Sequence, residues 1–133
     1  MSVRTLLLVE DNLADVLLMR EVLADVAPDV HLDVVRDGAD ALLQLREGRV
    51  PDLVLLDVNM PRVTGLQVLE ALRADPAFTS ARVVVWSTSG APMDVRAAQE
   101  RGAQTYVEKP ATYDGLRLLI AGLVAGEGVE SPS

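Results

Sequence analysis

The chain has no cysteine and a single histidine, His31, among its 133 residues. Disulfides and thiolate metal sites are therefore excluded, and one imidazole cannot build a zinc centre. Positive charge is also scarce: 12 basic residues face 20 acidic ones, for a net charge of −8 and a pI near 4.5. A nucleic-acid surface would need a basic patch, so that class of partner is set aside. No apolar run approaches the about 18 residues of a membrane span, and no secretory signal is visible, so a cytoplasmic protein is expected. Half of the residues are hydrophobic and the mean hydropathy is +0.25. A packed core follows, in one domain over residues 1–125, with residues 126–133 read as a flexible tail.

What the chain has is a repeated pattern. Four short apolar runs each end in a polar cluster: Leu6-Leu7-Leu8-Val9 before Glu10-Asp11-Asn12, and Leu53-Val54-Leu55-Leu56 before Asp57-Val58-Asn59-Met60-Pro61. Val83-Val84-Val85-Trp86 precedes Ser87-Thr88-Ser89, and Tyr106-Val107 precedes Glu108-Lys109-Pro110. Continuous apolar runs of this length fit strands buried on both faces of a parallel sheet. Strands are expected over residues 4–9, 30–35, from 51–52 onward, 83–86 and 105–108. Helices are expected from 12 or 13 to 26 and over 39–47 (stopped by Gly48), 64–74 (with Thr64 as N-cap), 92–101 (closed by Gly102) and 112–125. The alternation implies an α/β fold: a flavodoxin-like doubly wound sheet of five parallel strands, order 2-1-3-4-5, with helices on both faces. Ligands bind such sheets beyond the carboxyl ends of the strands, at the switch point between strands 1 and 3. Glu10, Asp11 and Asp57 fall there.

Each of these residues has a plain and a chemical reading. Either of Glu10 and Asp11 alone would serve as a helix cap, but a cap needs one carboxylate and Asn12 is already at hand. Two carboxylates beside a third call for a cation, and magnesium accepts one or two carboxylates together with waters and phosphate oxygens. Asp57 reads either as a turn-initiating residue or as a nucleophile able to form an aspartyl phosphate; a carboxylate ending a central apolar strand favours the latter. Ser87 reads as part of a polar loop or as a hydroxyl that meets a phosphoryl oxygen only in a modified state. Lys109 reads as a solvated loop lysine or as a cation facing the carboxylates; it precedes Pro110, a bond prone to cis in tight turns. Trp86 reads as core. Tyr106 is either a half-buried edge residue or a ring that moves with the site.

Together, Leu7 to Asn12, Asp52 to Pro61, Gly65, Val83 to Ser89, Gly102-Ala103 and Tyr106 to Pro110 resemble a response-regulator receiver domain. The resemblance implies that Asp57 accepts a phosphoryl group from a histidine kinase. Glu10 and Asp11 would bind Mg2+ with Asp57 and the backbone carbonyl of Asn59. Ser87 would be the switch hydroxyl, Lys109 the phosphoryl contact, Tyr106 the rotameric aromatic, and the backbone N–H of Thr88 part of the phosphoryl cradle. Asn59 and Ser89 would tune hydrolysis. The chain departs from the family at Glu10, where Asp is more usual. The Glu-Asp-Asn opening and the Ser-Thr-Ser run are similar to stand-alone regulators paired with bacterial and cyanobacterial phytochrome kinases. A stand-alone regulator would act on a downstream protein or relay the phosphoryl group, promoting only its own phosphorylation and dephosphorylation.

The last helix carries one more expectation. At 100° per residue, Leu116, Leu119, Ile120 and Leu123 face the core. Leu118, Ala121, Gly122 and Ala125 lie opposite, where an ordinary solvated helix places charge. That face is expected to form a homodimer, in keeping with the helix 4–strand 5–helix 5 contact that the resemblance implies.

Overall fold

A computed structural model describes residues 3–47, 50–58, 65–78, 81–88, 90–103 and 105–126. The elements are β1 (Thr5–Val9), α1 (Leu13–Val26), β2 (His31–Val35), α2 (Gly38–Glu47), β3 (Leu53–Asp57), α3 (Gly65–Ala74), β4 (Arg82–Ser87), α4 (Pro92–Glu100), β5 (Thr105–Glu108) and α5 (Tyr113–Val124). All neighbouring strands pair in parallel, in the order β2-β1-β3-β4-β5. This is the expected doubly wound topology.

The alternation of side chains explains why the central strands β1, β3 and β4 carry no polar residue between their ends. Leu7, Val9, Val54, Leu56, Val83 and Val85 belong to one buried cluster with residues of α2, α3 and α4. Leu6, Leu8, Leu53, Leu55, Val84 and Trp86 belong to a second cluster with residues of α1 and α5. Each central strand is thus covered on both faces, and polarity can appear only at its ends. At the amino ends, Asp52 joins β1 to β3: its Oδ2 accepts the N–H groups of Arg4 at 2.8 Å and Thr5 at 3.2 Å. Asp52 N–H in turn donates to Thr5 Oγ1 at 2.9 Å. This clasp agrees with the register Leu6↔Leu53 through Val9↔Leu56, which brings Glu10 alongside Asp57 at the far end.

Local chemistry sets the helix starts. The Asn12 side chain accepts Asp15 N–H and caps α1. Asp37 Oδ1 accepts Asp40 N–H at 2.8 Å, so α2 begins at Gly38, one residue before the sequence expectation. Thr112 caps α5 through Gly115 N–H. Gly102 sits at φ +97° just past α4, the left-handed conformation that favours glycine. A 3-10 turn over Pro76–Phe78, not anticipated from sequence, buries Phe78 between α3 and β4. β4 also extends one residue further at each end than expected, so Ser87 is its last residue. Thr64 and Gly48, the expected cap and stop, and all of the tail beyond Gly126 lie outside the described residues.

Candidate functional site

The parallel register delivers the polar strand ends to one rim. Asp57 pairs with Trp86 and Ser87 with Glu108, while Lys109 N–H donates to the Ser87 carbonyl at 2.6 Å. Gly65, the first residue of α3, lies against the end of β3: a Cβ there would stand 2.1 Å from the Asp57 carbonyl oxygen and 2.5 Å from Val58 Cα. Only glycine permits that approach, which explains its presence in the motif.

Glu10, Asp11 and Asp57 each offer a carboxylate oxygen within 4.8 Å of the others. Glu10 is 0% exposed and Asp57 5%, and Asp11 is half-buried. Buried like charges at this spacing are unfavourable unless a cation or a proton intervenes. The Glu10 carboxyl accordingly has its pKa raised to about 8, first by burial and then by its hydrogen bond with Asp57; Lys109 only partly offsets this. Three hard oxygen donors with surplus negative charge fit a divalent cation such as Mg2+ or Mn2+ and do not fit a soft metal.

Lys109 is the site's cation. Its Nζ donates to Glu10 Oε1 at 2.6 Å and Asp15 Oδ2 at 2.8 Å, and lies 3.6 Å from Asp57 Oδ2. It also stands 4.9 Å from the centroid of the Trp86 ring. Burial alone would lower the lysine pKa, but the bonds to Asp15 and Glu10 and the field of Asp57 raise it above its ordinary value. The Lys109–Pro110 bond is not cis. The hint drawn from a cis-prone bond is thus corrected, and the surrounding anions hold the lysine instead. It is not a solvated loop lysine.

The remaining expected residues fall as follows. Ser87 is fully buried at the end of β4, and Tyr106 is buried in the cluster that contains Val83, Val85 and Ala98. The half-buried edge reading of Tyr106 is therefore set aside. Thr88 is exposed beside Ser87. Asn59 and Ser89 lie outside the described residues. Leu118, Ala121 and Ala125 are exposed and Gly122 is half-buried, so the outer face of α5 is as the sequence implies. Leu116, Ile120 and Leu123 are buried and Leu119 packs partly against them. His31 is solvated, against Asp33.

Two residues at the site were not singled out from sequence. Asp15 looked like an acid in a first helical turn, which the helix dipole alone would justify. Arg36, at the end of the edge strand, donates from Nη2 to the Asp11 carbonyl at 3.0 Å and so ties down the loop carrying that carboxylate. The register Val9↔Val35 is what brings Arg36 to this loop.

Comparison with known proteins settles the family. The sequence matches the response regulator receiver domain over residues 6–121. The chain belongs to the response-regulator receiver family. Response regulator Rcp1 of Synechocystis is 33% identical over 126 residues, covering 90% of this chain and 86% of that protein. The nitrate/nitrite response regulator NarL of Escherichia coli is 37% identical, but this receiver spans only 50% of its length. Among solved structures, the phosphorylated cyanobacterial phytochrome response regulator RcpA superposes with a TM-score of 0.84 at 34% identity, covering 92% of this chain and 91% of that one. The Mn2+-bound form of Rcp1 gives 0.83 at 33% identity, with 98% and 99% covered. That a receiver of this similarity binds a divalent metal agrees with the donor set of Glu10, Asp11 and Asp57.

Proposed function

We propose that this receiver accepts a phosphoryl group on Asp57 from a phosphohistidine of a sensor kinase, with Mg2+ as the working cation. The observation that carries this reading is the position of the Lys109 ammonium, 3.6 Å from Asp57 Oδ2 beside a buried three-carboxylate cluster. An Asp57 carboxylate oxygen forms a bond to phosphorus in line with the breaking P–N bond, and the departing imidazole keeps the electron pair. Glu10, Asp11, Asp57 and the backbone carbonyl of Asn59 would hold the cation, whose contribution is to offset charge on the phosphoryl oxygens. Lys109 and the backbone N–H groups of Asn59 and Thr88 meet those same oxygens. Ser87 then turns toward the phosphoryl group, and Tyr106 follows the loop after β4. Asn59 and Ser89 govern access of hydrolytic water.

The likeness to RcpA favours a phytochrome-type histidine kinase as the partner, and the likeness to Rcp1 favours a regulator that acts on a separate protein in the cytoplasm. Among the described residues no helix is long and apolar enough to cross a membrane. We place a homodimer contact on α4, β5 and α5, through Leu118, Ala121, Gly122 and Ala125.

The decisive experiment is labelling with a small acyl phosphate, with and without Mg2+, in wild type and Asp57→Asn. One base-labile, acid-stable adduct on Asp57, dependent on the cation, is expected. Equal labelling of Asp57→Asn, on any residue but a rescue hydroxyl such as Ser87, ends the assignment.

A further inference from the structure

Lys109 is the sole lysine among the 12 basic residues; every other one is arginine. A compact ammonium with three donors is thus used at one place only, where a flat guanidinium would not serve. Two of those donors are engaged by Glu10 Oε1 at 2.6 Å and Asp15 Oδ2 at 2.8 Å. Asp57 Oδ2, at 3.6 Å, lies beyond hydrogen-bond reach. The lysine side chain is 11% exposed and that of Asp15 25%, so water weakens the pair only in part. Asp15 is itself well fixed: its N–H is capped by Asn12 Oδ1 at 3.2 Å, and the Asn12 carbonyl accepts Val16 N–H at 3.1 Å. It does not belong to the group of carboxylates close enough to share a metal.

We propose that Asp15 is a positioning residue: it holds the Lys109 ammonium back from Asp57 and thereby sets how readily the lysine is released to an incoming phosphoryl group. This rests on the phospho-acceptor reading above. Two effects act with the same sign. Asp15 competes for the donors that the phosphoryl oxygens need, and it adds a fourth carboxylate where those oxygens bring further negative charge. The opposing effect is the ordering of a long side chain. Glu10 and the face of Trp86 already supply that order, so competition and repulsion outweigh it.

The test compares Asp15→Asn, which removes the charge at nearly constant shape, with Asp15→Glu, which keeps it. Labelling by acetyl phosphate at saturating Mg2+ should accelerate about fivefold in Asp15→Asn. Asp15→Glu should stay near the wild-type rate. Mg2+ affinity, followed by Trp86 emission, should change less than about threefold, because Asp15 adds long-range charge without being a ligand. Lysine labelled with 13C at Cε gives one signal in this chain, and its titration midpoint should fall in Asp15→Asn but not in Asp15→Glu. A labelling rate in Asp15→Asn equal to or below wild type overturns the proposal. So does a loss of Mg2+ affinity of about tenfold or more, which would make Asp15 part of the cation site. Should wild type take no label at all, the acceptor reading fails. In that case the restraint falls with it, whereas a labelled wild type beside an Asp15→Asn protein no faster than it ends the restraint alone.

Discussion

Glu10 couples a buried proton to the carboxylate cluster. Its carboxyl is buried, tied to Lys109, and raised to about 8 from its ordinary 4.5, chiefly by burial and then by Asp57. A carboxyl raised in the folded state holds its proton more tightly there than in the unfolded chain. The cation-free protein therefore loses stability as pH climbs from about 4.5 toward 8, because the folded state must give up that proton. A divalent cation must displace the same proton, so its affinity should rise about tenfold per pH unit up to about 8 and then level off. Trp86, the only tryptophan, lies beside Asp57 and under Lys109 and reports this directly. Mg2+ titrations of its emission from pH 6 to 9 should show the slope in wild type, a flat response in Glu10→Gln, and severely weakened binding in Asp11→Asn. The same slope in Glu10→Gln would assign the proton elsewhere. The chemical identity of these residues was legible in the sequence, because each ends an apolar strand at the switch point. Their partners were not. Asp15 reaches Lys109 and Arg36 reaches Asp11 across chain separations that only the register closes, and each has an adequate local role as a helix-start acid or an edge-strand charge.

At the scale of elements, the site depends on how closely α3 meets the end of β3. A Cβ at Gly65 would collide with the backbone of Asp57 and Val58, which cannot yield as a flexible side chain would. Gly65→Ala should therefore destabilise the fold by about 1–3 kcal/mol. It should also slow labelling of Asp57, because the strain falls on the backbone of that residue. Gly122, mid-helix in α5 with nothing within 4 Å of its Cβ position, is the natural contrast. Gly122→Ala should stabilise the monomer by up to about 1 kcal/mol, since alanine is the better helix former. Urea denaturation of the two variants checks both signs, and a Gly65→Ala protein as stable and as reactive as wild type would mean that α3 does not press on Asp57. The elements themselves were readable because their patterns differ: central strands apolar on both faces, the edge strand β2 alternating, helices with a stripe. The start of α2 shifted by one residue because Asp37 caps it. The turn at Pro76–Phe78 escaped notice because it has no period, only a proline and a buried ring.

For the whole molecule, the proposed phosphorylation of Asp57 has to be read out at the surface of the receiver. Leu118 is 74% exposed at the centre of the outer face of α5, and Met93 of α4 is exposed to a similar degree. The neighbouring Ala121, Gly122 and Ala125 add no charge and little bulk, so a second helix can approach closely. Two cations nearby are engaged: Arg117 pairs with Asp25 of α1 at 2.7 Å, and Arg101 pairs with Glu70 of α3 at 2.7 Å. An overall charge of −8 would push two copies apart, so an apolar contact has to outweigh that repulsion, more easily at high salt. Leu118→Glu places a charge in the proposed contact while leaving the core stripe of Leu116, Ile120 and Leu123 untouched. Sedimentation should find wild type associating, more so as salt rises, and Leu118→Glu monomeric at every concentration, with Asp57 labelled equally in both. Identical masses for the two proteins, with and without phosphorylation, would show that copies of this chain do not meet through this face of α5.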